Sequence, residues 1–493
     1  MPLTALPRWS GSAGPPRDDR AAGAEPLALL RVLAAVLAEV DLKYCQWKGH
    51  AKRERWGTGA GDVDLLVERR SAGRFVSVLS DLGFKLAVPP PEQQVPGVLS
   101  YVGLDVPTGR LVHVHVHYRL VIGGFWRTTY RVPLERAVLQ STVETDVFRI
   151  PSPELEFLLF VLRQVQRYTL RDALREPRWL RGVQAERCYL EQRADTARVH
   201  WLLAEHLPEV SADFFQRAVR SLVERGASWQ RPLLHRELHR RLRAHARPPL
   251  PFTRLTVAVR EIVTLRGRLG AHMSGKHLGT GGVVIALSGS DGAGKSTCAR
   301  ELVAWLAPHF RAAHAHLGKP PRSLATLLVG GALKAAQLIE RWVPAPATYL
   351  DQLRRVATAR DRYRLYEKVR RIVRNGALAV CERYPIPKDS LFAGPAIARD
   401  LPPGPASALT RLLMRVERRY YELMVPPELL VVLRVDPVTA VRRKTTEPAD
   451  YVRERARASG TIDWAQTGAH IVDAARPLAD VLAELKTYIW SAV

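Results

Sequence analysis

Cysteine is almost absent. The 493 residues hold four, Cys45, Cys188, Cys298 and Cys381, and no two form a CxxC pair. That scatter supplies neither a disulfide framework nor a zinc site and fits a reducing compartment. Long apolar runs are also lacking. The longest, Pro26 to Val40, is interrupted by Arg31 and Glu39 and falls short of the ~20 residues that a membrane span needs. It starts too far from Met1, and without a clear cleavage signature, to read as a signal peptide, so the cytoplasm is the expected compartment. Negative charge is in short supply: 74 Lys and Arg face 48 Asp and Glu, a net charge of +26. This excess favours phosphate-bearing or otherwise anionic partners, and an arginine-rich genome would produce it equally well. The remaining composition, 47% apolar and 25% charged, excludes a disordered or collagen-like chain. At roughly 150 residues per domain the length suggests about three domains.

Residues 1–25 are rich in Pro, Gly, Ala and Arg and read as a disordered tail. Residues 26–148 mix a helix with short strands: LLVE and LVHVHVHY read as strands and VPTGR as a hairpin turn. Residues 149–275 are helical throughout, opening at PSPELEFLLFVLRQVQ with Ser152 as the expected cap. The Gly-rich stretch 270–282 reads as a linker. Over 276–493 strand and helix patterns alternate as in a doubly wound parallel sheet. The expected class is thus a multidomain α/β protein.

The most specific pattern lies in VVIALSGSDGAGKSTCARELVAWL. Gly289, Ser290, Asp291, Gly292, Ala293, Gly294, Lys295, Ser296 and Thr297 satisfy GxxxxGK[ST] between a β-branched strand and an amphipathic helix. Glycines let the backbone close around phosphate oxygens, so that successive N–H groups and the helix N-terminus face the anion. Lys295 would reach the β- and γ-phosphates of ATP or GTP, and the Ser296 hydroxyl would ligate Mg²⁺. Phosphoryl transfer needs positive charge around the moving group. The loop offers only Lys295, so an arginine must come from elsewhere. Arg442, Arg443, Lys444, Arg453 and Arg455, after the VLRVDP strand, are candidates for a lid.

SGSDGAGKST resembles the loop of the thymidylate kinase family, and the resemblance continues in order over 283–493. ATARDRYRLYEKVRRIVRNGALAVCERYP is similar to the family's helix with an Asp-Arg pair and its following strand. The resemblance implies a P-loop NTPase fold, with Asp291, Arg362, Arg383 and Tyr384 facing the acceptor nucleotide. It further implies Glu382 near the metal in place of the family's Asp, and Arg443 as the lid arginine, so that Lys295, Arg383 and Arg443 form the catalytic set. The family's Thr-Arg-Glu-Pro-Gly-Gly-Thr stretch is replaced by HAHLGKPPRS (314–323), which leaves the acceptor's identity open.

Near the N-terminus, Gly49-His50 precedes Asp62-Val-Asp64 by eleven residues. This resembles the nucleotidyltransferase pattern, in which two carboxylates at i and i+2 of a strand share one face for metal-assisted chemistry. His50 stands where Gly or Ser is usual. A third carboxylate is missing, and the corresponding strand carries His113, His115 and His117 on one face. These imidazoles are candidates to bind metal or substrate phosphate beside Asp62 and Asp64; a half-exposed polar strand face is the plainer reading.

Residues 151–275 hold 22 Arg and no Lys against 13 acidic residues. The densest stretch, 231–247, could face an anionic glycan, a membrane surface or nucleic acid. Poor aromatic interleaving disfavours nucleic acid, and a solvated helical face fits as well. The expected function is ATP-dependent, Mg²⁺-assisted phosphoryl transfer to a nucleoside monophosphate. The alternatives are an ATP-binding regulator or scaffold in surface-polysaccharide assembly, and a nucleic-acid kinase or nucleotidyltransferase. A small-molecule acceptor is the expected partner, with a homodimer as a further one.

Overall fold

The computed structural model describes residues 25–123, 128–168, 176–222, 230–248, 275–339, 345–386, 394–401, 405–464 and 467–493. Residues 1–24 of the proposed tail 1–25 and residues 270–274 of the proposed linker 270–282 lie outside them. The chain divides into two compact units, over 6–270 and 271–493. Both are mixed α/β.

In the first unit, helix α1 (Ala28–Glu39) leads into strands β1 (Tyr44–Lys48) and β2 (Val63–Val67). Helix α2 (Ala72–Asp81), β3 (Lys85–Val88), β4 (Val98–Asp105) and β5 (Arg110–His117) follow. The strand order is β1-β2-β5-β4-β3. The VPTGR turn joins β4 to β5, fastened where Thr108 Oγ1 donates to Asp105 Oδ2 at 2.7 Å. Alternation divides the residues of β2 and β5 between two faces. Val63, Leu65, Val67, Val112, Val114 and Val116 pack with α1 and α2. Asp62, Asp64, His113, His115 and His117 therefore face the other way. On that side Cys45, Trp47 and Leu66 share a core with helix α3 (Pro153–Arg167) and with α4 (Glu176–Glu191), α5 (Thr196–His206), α6 (Ala212–Ser221) and α7 (Gln230–Arg241). The segments 26–148 and 149–275 thus contribute to one apolar core. Ser152 occupies the N-cap position of α3, but its side chain makes no capping bond. The caps are side-chain made at α5, by Asp195 to Ala197 N–H, and at α6, by Ser211 to Phe214 N–H.

The second unit is a five-stranded parallel sheet. Its strands are β6 (Val283–Gly289), β7 (Ala312–His316), β8 (Leu378–Glu382), β9 (Leu429–Arg434) and β10 (His470–Asp473), ordered β7-β8-β6-β9-β10. Parallel strands covered on both faces need near-continuous apolar runs, which explains VVIAL, LAVC and LLVVL. Helix α8 (Lys295–Leu306) follows the central strand. Long helix α9 (Ala345–Arg374) packs Leu365, Tyr366, Val369 and Val373 against Val284, Ala286, Ala379 and Val432. The carboxyl ends of β6 and β8 thereby come together at one edge, the usual ligand side of an open parallel sheet.

Candidate functional site

At that edge the chain leaves β6 through Gly289, Ser290, Asp291, Gly292 and Ala293 to Gly294, the N-cap of α8. Gly289, Gly292 and Gly294 have φ of +133°, +82° and +82°, which only glycine adopts without strain. Two of them are also wedged. A Cβ on Gly289 would lie 2.3 Å from Leu433 O, and one on Gly292 would lie 2.5 Å from Ala440 O. The loop is thus clamped between β9 and the helix Pro437–Arg443, with Ser290, Asp291 and Ala293 buried.

Lys295, 6% exposed, folds back over this loop and donates to Gly289 O at 2.9 Å and Ser290 O at 2.6 Å. Burial, reinforced by the Arg383 guanidinium, lowers its amine to about 8 against the pull of Asp291 and Glu382. The next residue, Ser296, donates its hydroxyl to Glu382 Oε2 at 2.5 Å, and His314 Nε2 lies 2.8 Å from Oε1 of the same carboxylate. Burial opposes the Glu382 charge, but the bonds from His314 and Ser296 prevail and hold the carboxyl below its usual range. Burial lowers the His316 imidazole in turn.

Arg383 follows with a φ of +52°, an uncommon conformation for a side-chain-bearing residue. Its guanidinium pairs with Asp291, and Arg455 Nε lies 3.3 Å from the other Asp291 oxygen. The Arg383 side chain crosses Gly318, where a Cβ would meet its Cδ at 2.6 Å. Arg362, 8% exposed, reaches the same segment, donating to Leu317 O at 2.7 Å and pairing with the Tyr421 hydroxyl.

The fold therefore gathers Asp291, Lys295, Ser296, Glu382, Arg383 and Arg362 around one edge. Two expected members lie elsewhere. Tyr384 is wholly buried; its hydroxyl donates to Val425 O at 2.6 Å and receives Arg370, a structural tie in the core. Arg443 donates to Ala474 O at 2.6 Å and Ala475 O at 3.2 Å, fastening its helix to the turn after β10. Arg455, one of five basic candidates, is the one that reaches the loop. The sequence reading placed His314 only in the segment 314–323 that replaces the acceptor motif and missed its pairing with Glu382; the available signal was a histidine on a strand next to the one ending in Glu382.

The first unit holds a second polar cluster. Parallel pairing of β2 with β5 sets Asp64 opposite His115. Asp62 Oδ1 lies 2.7 Å from His113 Nδ1. Asp64 Oδ1 is approached by Lys48 Nζ at 2.9 Å, His117 Nε2 at 3.1 Å and His115 Nδ1 at 3.3 Å. Burial works against both carboxylates. The bond and charge of His113 nevertheless bring Asp62 down to about 2, and Lys48 with the two imidazoles holds Asp64 well below its usual range. Burial drops His117 to about 4. Lys48 is a partner that the sequence reading missed. The Trp47 ring packs edge-on to His117 and lies under Arg163, which faces Glu186 at 3.8 Å. Gly49 takes a φ of +79° in open space and His50 is half-buried nearby.

No protein-family model matches this chain. Two curated relatives do, from Escherichia coli strain K12 and from Escherichia coli O6:H1, each described as the uncharacterized ATP-binding protein YghR. Each is 28% identical to this chain over 227 residues, covering 41% of this chain and 84% of the relative.

Proposed function

We propose that the second unit binds ATP and, with Mg²⁺, transfers its γ-phosphoryl group to a nucleoside monophosphate, in the manner of a thymidylate kinase. The observation that carries this reading is the loop 289–294. Three glycines at positive φ shape its backbone, two of them pressed against β9 and the helix Pro437–Arg443, directly before α8 and Lys295. Such a loop presents N–H groups and a helix N-terminus to an anion. The relatives described as ATP-binding proteins support the ATP-binding part of this reading.

The donor set fits magnesium: Ser296 Oγ and Glu382 Oε2 are hard oxygens 2.5 Å apart. They would hold the ion, and when bound it would neutralise charge growing on the phosphate oxygens. Lys295 would exchange its two carbonyl partners for phosphate oxygens. Arg383 and Arg455, now on Asp291, would turn to the transferring or accepting phosphate. Arg362, anchored on Leu317 O, would hold the acceptor side. Positioning and charge are what phosphoryl transfer asks of a protein.

One observation favours a second reading, an ATP-binding regulator without efficient turnover: Asp291 is engaged by two arginines at once. ADP release from Mg-ATP against a panel of nucleoside monophosphates separates the two. Release that depends on one monophosphate supports the kinase. ATP binding with no release across the panel overturns it in favour of the regulator.

A further inference from the structure

We propose that Asp62, His113 and His115 of the first unit bind a divalent transition-metal ion. One donor atom from each of these side chains lies within 4.8 Å of the others. The closest pair, Asp62 Oδ1 and His113 Nδ1, is 2.7 Å apart; two donors at right angles, each roughly 2.1 Å from one ion, sit about 3 Å apart. Two imidazoles and one carboxylate form a donor set that suits Mn²⁺, Co²⁺, Fe²⁺ or Zn²⁺, whereas magnesium prefers oxygen alone.

The neighbouring carboxylate explains why this triad, and not the aspartate pair, is the site. Asp64 already receives the Lys48 ammonium at 2.9 Å, a built-in cation whose charge an arriving ion would have to displace. The Asp62 side chain, by contrast, is 50% exposed and so opens the triad to solvent. Asp64 instead supports the site from behind. Its contact with His115 Nδ1 steadies that ring, the role carboxylates play beside metal-bound histidines. The backbone is equally prepared. His113 and His115 stand two apart on β5, their ring centroids 4.2 Å apart, and Asp62 precedes the strand paired with it. The sheet holds all three before any ion arrives.

The test uses the untagged full chain stripped with chelator, titrated with Co²⁺ and followed by its visible absorption and by bound metal per chain. The expected result is one Co²⁺ per chain, displaced by Zn²⁺ but not by equimolar Mg²⁺. Asp62→Asn and His115→Gln should each weaken binding at least tenfold. His117→Gln, which alters only the Asp64 cluster, should change it by no more than about twofold. Circular dichroism of the metal-free variants separates loss of the site from loss of the fold. Asp62→Asn, at a half-exposed position, should also abolish the Zn²⁺-induced rise in melting temperature. Any of three results overturns the proposal: no Co²⁺ uptake, equal competition by Mg²⁺, or binding lost in His117→Gln and kept in Asp62→Asn.

Discussion

Lys295 offers the sharpest physical test, because its chemistry is visible without any substrate. The amine is lowered from 10.5 to about 8, chiefly by burial and then by Arg383. In the unfolded chain it regains its ordinary value. Between these two values the unfolded state binds a proton that the folded state has released, so stability rises with pH in that window. The buried charge is a penalty at neutral pH, and titrating it away relieves up to about 3 kcal/mol, from 1.36 kcal/mol per pH unit. Between about pH 7.5 and about pH 9.5 the gain should be about 2 kcal/mol. Other groups titrate in the same range, so the informative quantity is a double difference. Urea unfolding of the C-terminal unit is measured at both pH values for the wild type and for Lys295→Met. The wild type should gain about 2 kcal/mol more than the variant as the pH rises. An equal pH response in both proteins would show that the amine is not held in the environment described, and the argument for its charge facing a phosphate would go with it.

Four substitutions probe the rest of the loop and its surroundings. Gly292→Ala places a Cβ 2.5 Å from Ala440 O at a φ of +82°. It should cost roughly 1–3 kcal/mol and remove the stabilisation by Mg-ATP, read from unfolding with and without nucleotide. Glu382→Gln keeps the size of a side chain that bonds Ser296 and His314 but removes its charge. ADP release should fall by roughly two orders of magnitude, while ATP affinity measured in chelator stays close to wild type. Arg443→Ala removes two bonds to main-chain carbonyls and should destabilise by roughly 1–3 kcal/mol. Turnover of the folded Arg443→Ala protein should stay within about threefold of wild type, whereas Arg455→Ala should lower kcat/KM by more than its effect on stability explains.

What the sequence could and could not convey follows from how far apart the cooperating residues lie. The loop 289–297 was legible because its requirements are local: a strand before, a helix after, and glycines where the backbone turns left-handed. Asp62, Asp64 and the three histidines were legible on the period of two that β-strands impose. That Asp64 stands opposite His115, however, comes from the parallel pairing of two strands some fifty residues apart, which no local pattern encodes. The arginines after β9 show the same boundary. Arg443 and Arg455 are alike in type and neighbourhood. Packing of their helices sends one to the carbonyls after β10 and the other to Asp291. The adjacent pair Arg383 and Tyr384 makes the point within two residues. The positive φ of Arg383 ends the strand, so its guanidinium turns to the loop while Tyr384 enters the core beneath Arg370. A motif read as a string assigns both residues to the ligand. The backbone conformation gives one to the site and the other to the fold, and this is why the structure assigns Arg383, and not Tyr384, to the edge of the sheet where Ser296 and Glu382 meet.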